Sequence, residues 1–304
     1  MPNNKPLVTI ILPVYNGEKT IRATLDSLLN QTYSHFKLLI CIDGTNDASK
    51  SIAESFKDDR VSIFENTTNL GLGDNLNKLL TLIPKESDLI AMAEQDDFYV
   101  PQRLEWQVNV MTEHPKVGLV SGIVEYKNNT RSVMFPGILV KGNQFPQGVD
   151  LFKYLYVHQL KVVNSCMMFR KSVHVNHELH FRNTYGNFNI DWDYILRFAL
   201  VSKIHGIPKK LVVMDRGRAN DSVTRDKDAQ HKATRQLLVD FKKAFPDIIS
   251  NQLYKEALKE HRKIELGHNS KLKLLFKSVS YSILYLDAYF LKYAFRKTKK
   301  YLIK

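Results

Sequence analysis

Apolar residues along the 304-residue chain recur in short blocks whose period changes at regular intervals. Val8–Val14 (VTIILPV) is a continuous β-rich run that stops at the turn pair Asn16-Gly17. Ile21, Leu25, Leu28 and Leu29 then fall on one face of a helix over 21–29, and Lys37–Ile42 (KLLICI) reads as a second buried strand. A helix over Ala48–Phe56, a strand over Val61–Glu65, a helix over Asp74–Leu82 and a strand over Leu89–Ala93 complete the first hundred residues. Such alternation predicts a parallel α/β sheet with helices on both faces. Ligands of these sheets bind outside the carboxyl ends of the strands, which singles out the loops at 13–18, 43–47 and 94–97.

The second half is less regular. Strands are predicted over Val117–Tyr126 and Val162–Arg170, with a Gly- and Pro-containing stretch (Met134–Gly148) between them. A helix over Asp191–Val201 and a strand over Lys210–Met214 follow, and from about Asp226 the pattern is helical almost to the end. In that tail Val279, Ile283, Leu286 and Phe290 would form one stripe of a helix, with Tyr281, Tyr285 and Tyr289 nearby.

Charge changes the picture there. The net charge is +13, and from Lys271 onward nine Lys/Arg stand against one acid, Asp287. An apolar stripe with basic flanks suits a helix lying in a membrane interface. The competing reading is a helix packed on the rest of the chain or on a second copy. Nucleic acid is not expected, because no RNA- or DNA-binding motif accompanies the charge. No stretch reaches the roughly 18 apolar residues of a spanning helix. The opening residues read as a first strand rather than a signal peptide. Cys41 and Cys166 lie in separate apolar stretches and are expected to be small buried residues, which fits a reducing cytoplasmic setting.

Candidate chemistry concentrates at Glu94-Gln95-Asp96-Asp97, directly after an apolar strand. Three acids in four residues repel one another unless a cation joins them, and Mg²⁺ or Mn²⁺ suits oxygen ligands that are shared with phosphates. The competing role is a cap for a helix around Pro101–Met111. Asp43, in CIDGTND, is placed to accept hydrogen bonds from a nucleoside, whereas Thr45 and Asp47 are better read as caps of the next helix. His174, His177 and His180 recur every third residue, but they lack a fourth ligand and read as structural or solvated.

The succession VTIILPVYNGEKTIRATLDSLLNQTY, LLICIDGTNDAS, NTTNLGLGDNLN and LIAMAEQDDFYVPQRLE resembles the inverting family 2 glycosyltransferases over roughly residues 7–225. The resemblance implies a GT-A fold, a Rossmann-like nucleotide-binding α/β sandwich with a mixed central sheet. The nucleotide-binding half would span 1–100, the acceptor-binding half 101–225, and a basic helical extension 226–304. It places Pro13, Tyr15 and Glu18 in the loop lining the nucleoside pocket and Asp43 against the base. Glu94-Gln95-Asp96-Asp97 takes the place of the DXD motif, with Asp96 the main ligand of Mn²⁺ or Mg²⁺ and Asp97 and Glu94 beside it. Asn189–Arg197 (NIDWDYILR) is similar to the Glu-Asp motif, which makes Asp191 the general base and Asp193 its rival. Asp215–Thr224 is similar to a Tyr-Arg-x-His segment, which puts Arg216 or Arg218 on the leaving diphosphate. Ile42, Ile190 and Arg218 depart from the family pattern.

The implied activity is transfer of a sugar from a nucleotide-sugar, UDP by default, to a hydroxyl of a glycan or lipid-linked acceptor in surface-polysaccharide synthesis. It would take place in the cytoplasm or on the cytoplasmic face of the plasma membrane, and a homo-oligomer stays open. Two alternatives remain: a catalytically silent sugar-nucleotide-binding subunit, suggested by those three departures, and a nucleotidyltransferase. The latter would want a glycine-rich basic loop after the first strand, where PVYNGEKT stands.

Overall fold

A computed structural model of the chain describes residues 5–128, 130–135, 139–140, 143–159, 162–215 and 226–302. The first half runs β1 (Val8–Val14), α1 (Ile21–Leu29), β2 (Phe36–Asp43), α2 (Ser49–Glu54), β3 (Val61–Asn66), α3 (Leu72–Thr81) and β4 (Leu89–Met92). Next come β5 (Asp97–Tyr99), α4 (Arg103–Glu113), β6 (Val117–Lys127), β7 (Ser132–Phe135) and the two-residue strands β8 (Leu139–Val140) and β9 (Asn143–Gln144). After α5 (Val149–His158) lie β10 (Met168–Arg170), α6 (Lys171–Asn176), β11 (Thr184–Asn187), α7 (Ile190–Val201) and β12 (Lys203–Asp215). Four helices close the chain: α8 (Lys227–Ala244), α9 (Asn251–Gly267), α10 (Lys271–Leu284) and α11 (Tyr289–Leu302).

The main sheet has the order β3-β2-β1-β4-β10-β6-β12-β5, with β7 on β6. β1 is buried at every residue and lies parallel to both β2 and β4. Burial on both faces is why its sequence is continuously apolar instead of alternating. β10 runs antiparallel to β4 and β6, and β5 antiparallel to β12, so the sheet is mixed, as expected. The reversal beside β4 leaves the carboxyl ends of β1, β2 and β4 together as one rim of loops.

Two expected elements differ. The strand anticipated over Val162–Arg170 keeps only Met168–Arg170. Its first part is a 3-10 turn, Asn164–Cys166, closed by Cys166 N–H to Val163 O at 3.0 Å and Met167 N–H to Asn164 O at 2.9 Å. The tail is not one helix across 276–295: it breaks between α10 and α11, where Leu286 adopts a left-handed φ of +49°. Asp287 then caps α11 by accepting from Tyr289 N–H at 2.9 Å. Phe290, assigned to the same stripe as Ile283, is buried instead with Leu266, Leu274 and Ala294. Both cysteines are free and buried.

The chain forms two compact units, Met1–Leu155 with Leu160–Val223, and Tyr156–Gln159 with Thr224–Lys304. The helical unit has a firm start, since Asp226 accepts from Ala229 N–H and Ser250 from Leu253 N–H at the two helix N-caps. Between α8 and α9 three histidines meet. His231 Nε2 lies 3.1 Å from His268 Nδ1, and Gln159 Nε2 donates to His261 Nδ1 at 3.0 Å. Burial first, and the neighbouring His231 second, push the His261 pKa down from 6.5 to about 4.

The folded unit therefore needs His261 neutral. That contribution is complete above pH 6.5 and is lost as pH falls toward 4, a total on the order of 3 kcal/mol. Thermal unfolding from neutral pH downward should show a falling midpoint that is flattened in His261→Leu. A midpoint unchanged between pH 6.5 and 4 would refute the assignment.

Candidate functional site

The rim is tied together through Gln95. Tyr15 N–H donates to Gln95 Oε1 at 2.7 Å, while Gln95 Nε2 donates to Tyr15 O at 2.8 Å, so one side chain grips both polar groups of that residue. Gly17 allows this approach, because a Cβ there would stand 2.8 Å from Gln95 Oε1. Thr24 Oγ1 lies 2.7 Å from Gln95 O and 2.9 Å from Asp97 O, fastening α1 to the acidic segment. Pro13 is buried in β1 opposite Cys41, and Tyr15 is half exposed at the rim.

Glu18 is tied to the turn before α2 in both directions: its N–H donates to Asp47 Oδ2 at 3.0 Å, and Ala48 N–H donates to Glu18 Oε2 at 3.3 Å. Asp47 also accepts from the N–H of Ser49, the first residue of α2, and from Thr45 Oγ1; the N-cap position itself is Ala48, and Thr45 bonds Asn16 and Asp47 instead of an α2 amide. Burial alone would raise the Asp47 pKa, but bonds from Ser49, Thr45 and the Glu18 amide outweigh it and hold it at about 2.

Glu94, Asp96 and Asp97 bring one carboxylate oxygen each within 4.8 Å of one another. Neither aspartate caps α4, whose N-cap is Gln102. The walls of the cluster come from distant sequence. Asn164 Nδ2 donates to Glu94 Oε1 at 2.9 Å, and Ser165 Oγ donates to Asp97 Oδ2. Glu94 N–H donates to the hydroxyl of buried Tyr99 at 2.7 Å. Under it Arg103, fully buried, lies with its guanidinium 4.6 Å from the Tyr99 ring centre and donates to Met92 O at 2.7 Å and Met167 O at 3.3 Å. Asn164 Oδ1 is buried and has no hydrogen-bond partner among the described residues. Three carboxylates with a spare amide oxygen beside them form a hard-oxygen donor set that fits Mg²⁺ or Mn²⁺. Asn164, Ser165, Tyr99 and Arg103 carried no sequence signal of their own, apart from the unusual placing of an Asn-Ser pair in an apolar run.

Asp43 is only 2% exposed. Its carboxylate accepts from Asn66 Nδ2 at 2.6 Å, Leu70 N–H at 2.9 Å and Gly71 N–H at 3.1 Å, which orders the loop before α3. Gly71 has φ +84°, a conformation open to glycine. The first N–H groups of α3 are then taken by two asparagines from around β11: Leu72 N–H donates to Asn187 Oδ1 at 3.1 Å and Gly73 N–H to Asn183 Oδ1 at 2.9 Å. Those unpaired helix-start donors are where a cap was needed.

From Asn187 the chain passes Asn189, left-handed at φ +59°, into α7. Asp191 sits in the first turn and accepts from Trp192 N–H at 2.9 Å. Part of its surface reaches solvent, yet the dense surroundings dominate: desolvation raises its pKa from 3.8 to about 6 against the lowering effect of the backbone bonds. Asp193, the rival, is buried and held by Arg197 Nε at 2.8 Å. His174 is likewise engaged, 3.0 Å from the Tyr194 hydroxyl in an aromatic cluster, and burial takes its pKa to about 4. Arg216 and Arg218 lie outside the described residues.

With this geometry in place, comparison with known proteins narrows the reading. The sequence model of the family described as Glycosyl transferase family 2 matches residues 9–177. EpsE of Bacillus subtilis (strain 168), a protein named as a glycosyltransferase, is 30% identical over 190 residues, 59% of this chain and 68% of EpsE. WfgD of Escherichia coli is named a UDP-Glc:alpha-D-GlcNAc-diphosphoundecaprenol beta-1,3-glucosyltransferase. It is 32% identical over 127 residues, 42% of this chain and about half (49%) of WfgD. Among solved structures, residues 1-349 of S. aureus TarS superpose with a TM-score of 0.64 at 18% identity, covering 88% of this chain and 74% of that one. The mannosyltransferase PcManGT of Pyrobaculum calidifontis, solved with GDP-Man and Mn²⁺, gives 0.56 at 17% identity, covering 97% and 88%. Those superpositions, with the mixed sheet, bear out the expected GT-A fold.

Asp43→Ala would take an acceptor from three donors of this turn, of which Gly71 N–H keeps Asn69 Oδ1 and Asn66 Nδ2 keeps Asn75 Oδ1, and a loss of about 1–2 kcal/mol is expected. Urea unfolding measures it. A midpoint equal to wild type would show that the carboxylate does not order the 66–71 loop.

Proposed function

The chain belongs to glycosyl transferase family 2, and on that footing we propose that it is an inverting, metal-dependent glycosyltransferase. It moves one sugar from a nucleotide-sugar, a UDP-sugar in the first instance, to an acceptor hydroxyl in surface-polysaccharide or lipid-linked glycan synthesis. The observation that carries the proposal is the pairing of a tight acidic cluster, held by Asn164 and Ser165, with a carboxyl group at Asp191 whose pKa is raised to about 6.

The nucleoside lies against the rim built by Pro13, Tyr15 and Glu18, with Asp43 fixing the loop on its other side. Asp96, with Asp97 and Glu94, would hold Mn²⁺ or Mg²⁺. When bound, that ion supplies neutralising charge to the departing diphosphate. Arg216 or Arg218 is assigned to the same phosphates by sequence pattern, as a bidentate donor. Asp191 accepts the proton of the acceptor hydroxyl as it attacks the anomeric carbon from the face opposite the leaving group, so the configuration inverts. A carboxylate with its pKa near 6 is a stronger base than an ordinary aspartate and is still ionised at neutral pH. WfgD, by its name, acts on a diphosphoundecaprenol-linked sugar. A lipid-linked acceptor on the cytoplasmic face of the plasma membrane is the corresponding proposal for this chain, with no helix of the described residues long and apolar enough to cross it.

Asp191→Asn should cut transfer by roughly 10²–10⁴-fold while UDP still binds. Full activity in that variant would remove Asp191 as the base, and a wild-type chain that binds UDP-sugars but neither transfers nor hydrolyses them would be the silent subunit instead. The pH profile of kcat/KM should fall on its acid side near pH 6, where Asp191 gains its proton, rather than near the ordinary aspartate value of 3.8. Asp96→Asn should remove the Mn²⁺-dependent part of UDP affinity, read by calorimetry. Equal affinity with and without Mn²⁺ in wild type would rule out the ion's role there.

A further inference from the structure

Within the helical unit, α10 uses one side for packing and leaves an equally apolar side bare. Leu274 faces inward with Leu266, Phe290 and Ala294. On the other side Leu272, Leu275, Phe276, Val279 and Ile283 follow at i, i+3, i+4, i+7 and i+11, a single arc of the helix. All five are exposed, Phe276 by 78% and Ile283 by 70%. The turn that follows carries Leu286, 94% exposed at positive φ. A left-handed leucine held out in water at a hairpin tip gains nothing from the fold itself. On α11 Leu291 and Phe295 extend the same kind of surface.

The charges around it are mainly cationic. Lys273, Lys292 and Arg296 are exposed beside the apolar residues. The nearby acids are already neutralised: Asp287 pairs with Lys259 at 2.6 Å, and Glu265 with Arg235 at 3.0 Å and Lys277 at 3.6 Å. Tyr285 and Tyr289 stand at the base of the tip with Arg262 and Lys263 over their rings. A second copy of this chain would bring like charges against these, whereas an anionic surface complements them.

We infer that the outer face of α10, the Leu286 tip and the exposed residues of α11 form a docking surface for an anionic phospholipid bilayer. The apolar arc enters the boundary between headgroups and acyl chains, the tyrosines sit at headgroup level, and each flanking cation adds attraction to the anionic headgroups. The inference deepens the membrane placement proposed above and rests on it. Its readout is lipid binding alone, so its failure leaves the donor chemistry standing.

Flotation of the full chain with phosphatidylcholine vesicles, with or without phosphatidylglycerol, tests it. Binding is expected with the anionic vesicles, weakening as salt rises. The triple variant Phe276→Ser, Ile283→Ser, Leu286→Ser should bind at least about tenfold more weakly, since its apolar burial is gone. Those side chains are exposed, so its thermal midpoint should match wild type. In a separate variant, Leu286→Trp should shift its fluorescence to the blue on anionic vesicles only. No binding, equal binding to both vesicles, an unaffected triple variant, or a wild-type dimer that the triple variant dissolves without lipid would each overturn the assignment.

Discussion

The acidic cluster after β4 is the constraint around which the site is organised. Carboxylates within 4.8 Å repel strongly, and a fold can relieve this by protonating one, spreading them apart, or holding them for a cation. Two neutral donors take part in the holding. Asn164 and Ser165 each give one hydrogen bond to one acid, and the Tyr99 hydroxyl takes the Glu94 amide. The buried cation Arg103 donates from Nη2 to the carbonyls of Met92 and Met167 and from Nε to Gln107. An arginine paired directly with Asp97 would have consumed the charge that a metal site needs. Placed beneath Tyr99, it instead locks the ends of β4 and the 3-10 turn in register.

A second chain of contacts joins the two ends of the proposed reaction centre. Asp43 orders Leu70 and Gly71, the next two amides of that turn reach Asn187 and Asn183, and two residues beyond Asn187 the backbone turns left-handed into the helix of Asp191. The loop proposed to face the nucleoside and the segment carrying the proposed base are thus consecutive links of one hydrogen-bonded path. Each link ends on a backbone N–H at a helix start or a glycine turn, where the main chain has no partner of its own.

Much of this architecture was legible because it depends on local pattern. β1 and α1 have the bounds their periodicity suggests, and the acidic cluster lies directly behind an apolar strand. What was not legible depends on partners far along the chain. Asn164 and Ser165 look like polar interruptions of a strand until Glu94 and Asp97, about seventy residues earlier, are seen to need donors. The roles of Asn183 and Asn187 are set in the same way by amides more than a hundred residues away. In the tail, a stripe drawn on one continuous helix put Phe290 beside Ile283. The turn at Leu286 sends one inward and leaves the other in solvent, and no periodicity reports a single residue at positive φ.

Three aspartates show how environment, rather than identity, assigns the chemistry. Asp47 collects hydrogen bonds from two hydroxyls and two amides, which makes its carboxylate too weak a base to take a proton at neutral pH. Asp193 is buried but bound through two oxygens to Arg197, so its charge is already answered and accepting a proton would break that pair. Asp191 has dense surroundings with little more than the amides of its own helix start to compensate, and its pKa rises accordingly. Two residues apart on one helix, the group paired with Arg197 stabilises α7, while Asp191, with no ion pair among the described residues, keeps its basicity. Basicity is what deprotonation of an attacking hydroxyl requires, and for that reason the proposed reaction takes Asp191 as its base even though Asp193 lies in the same turn.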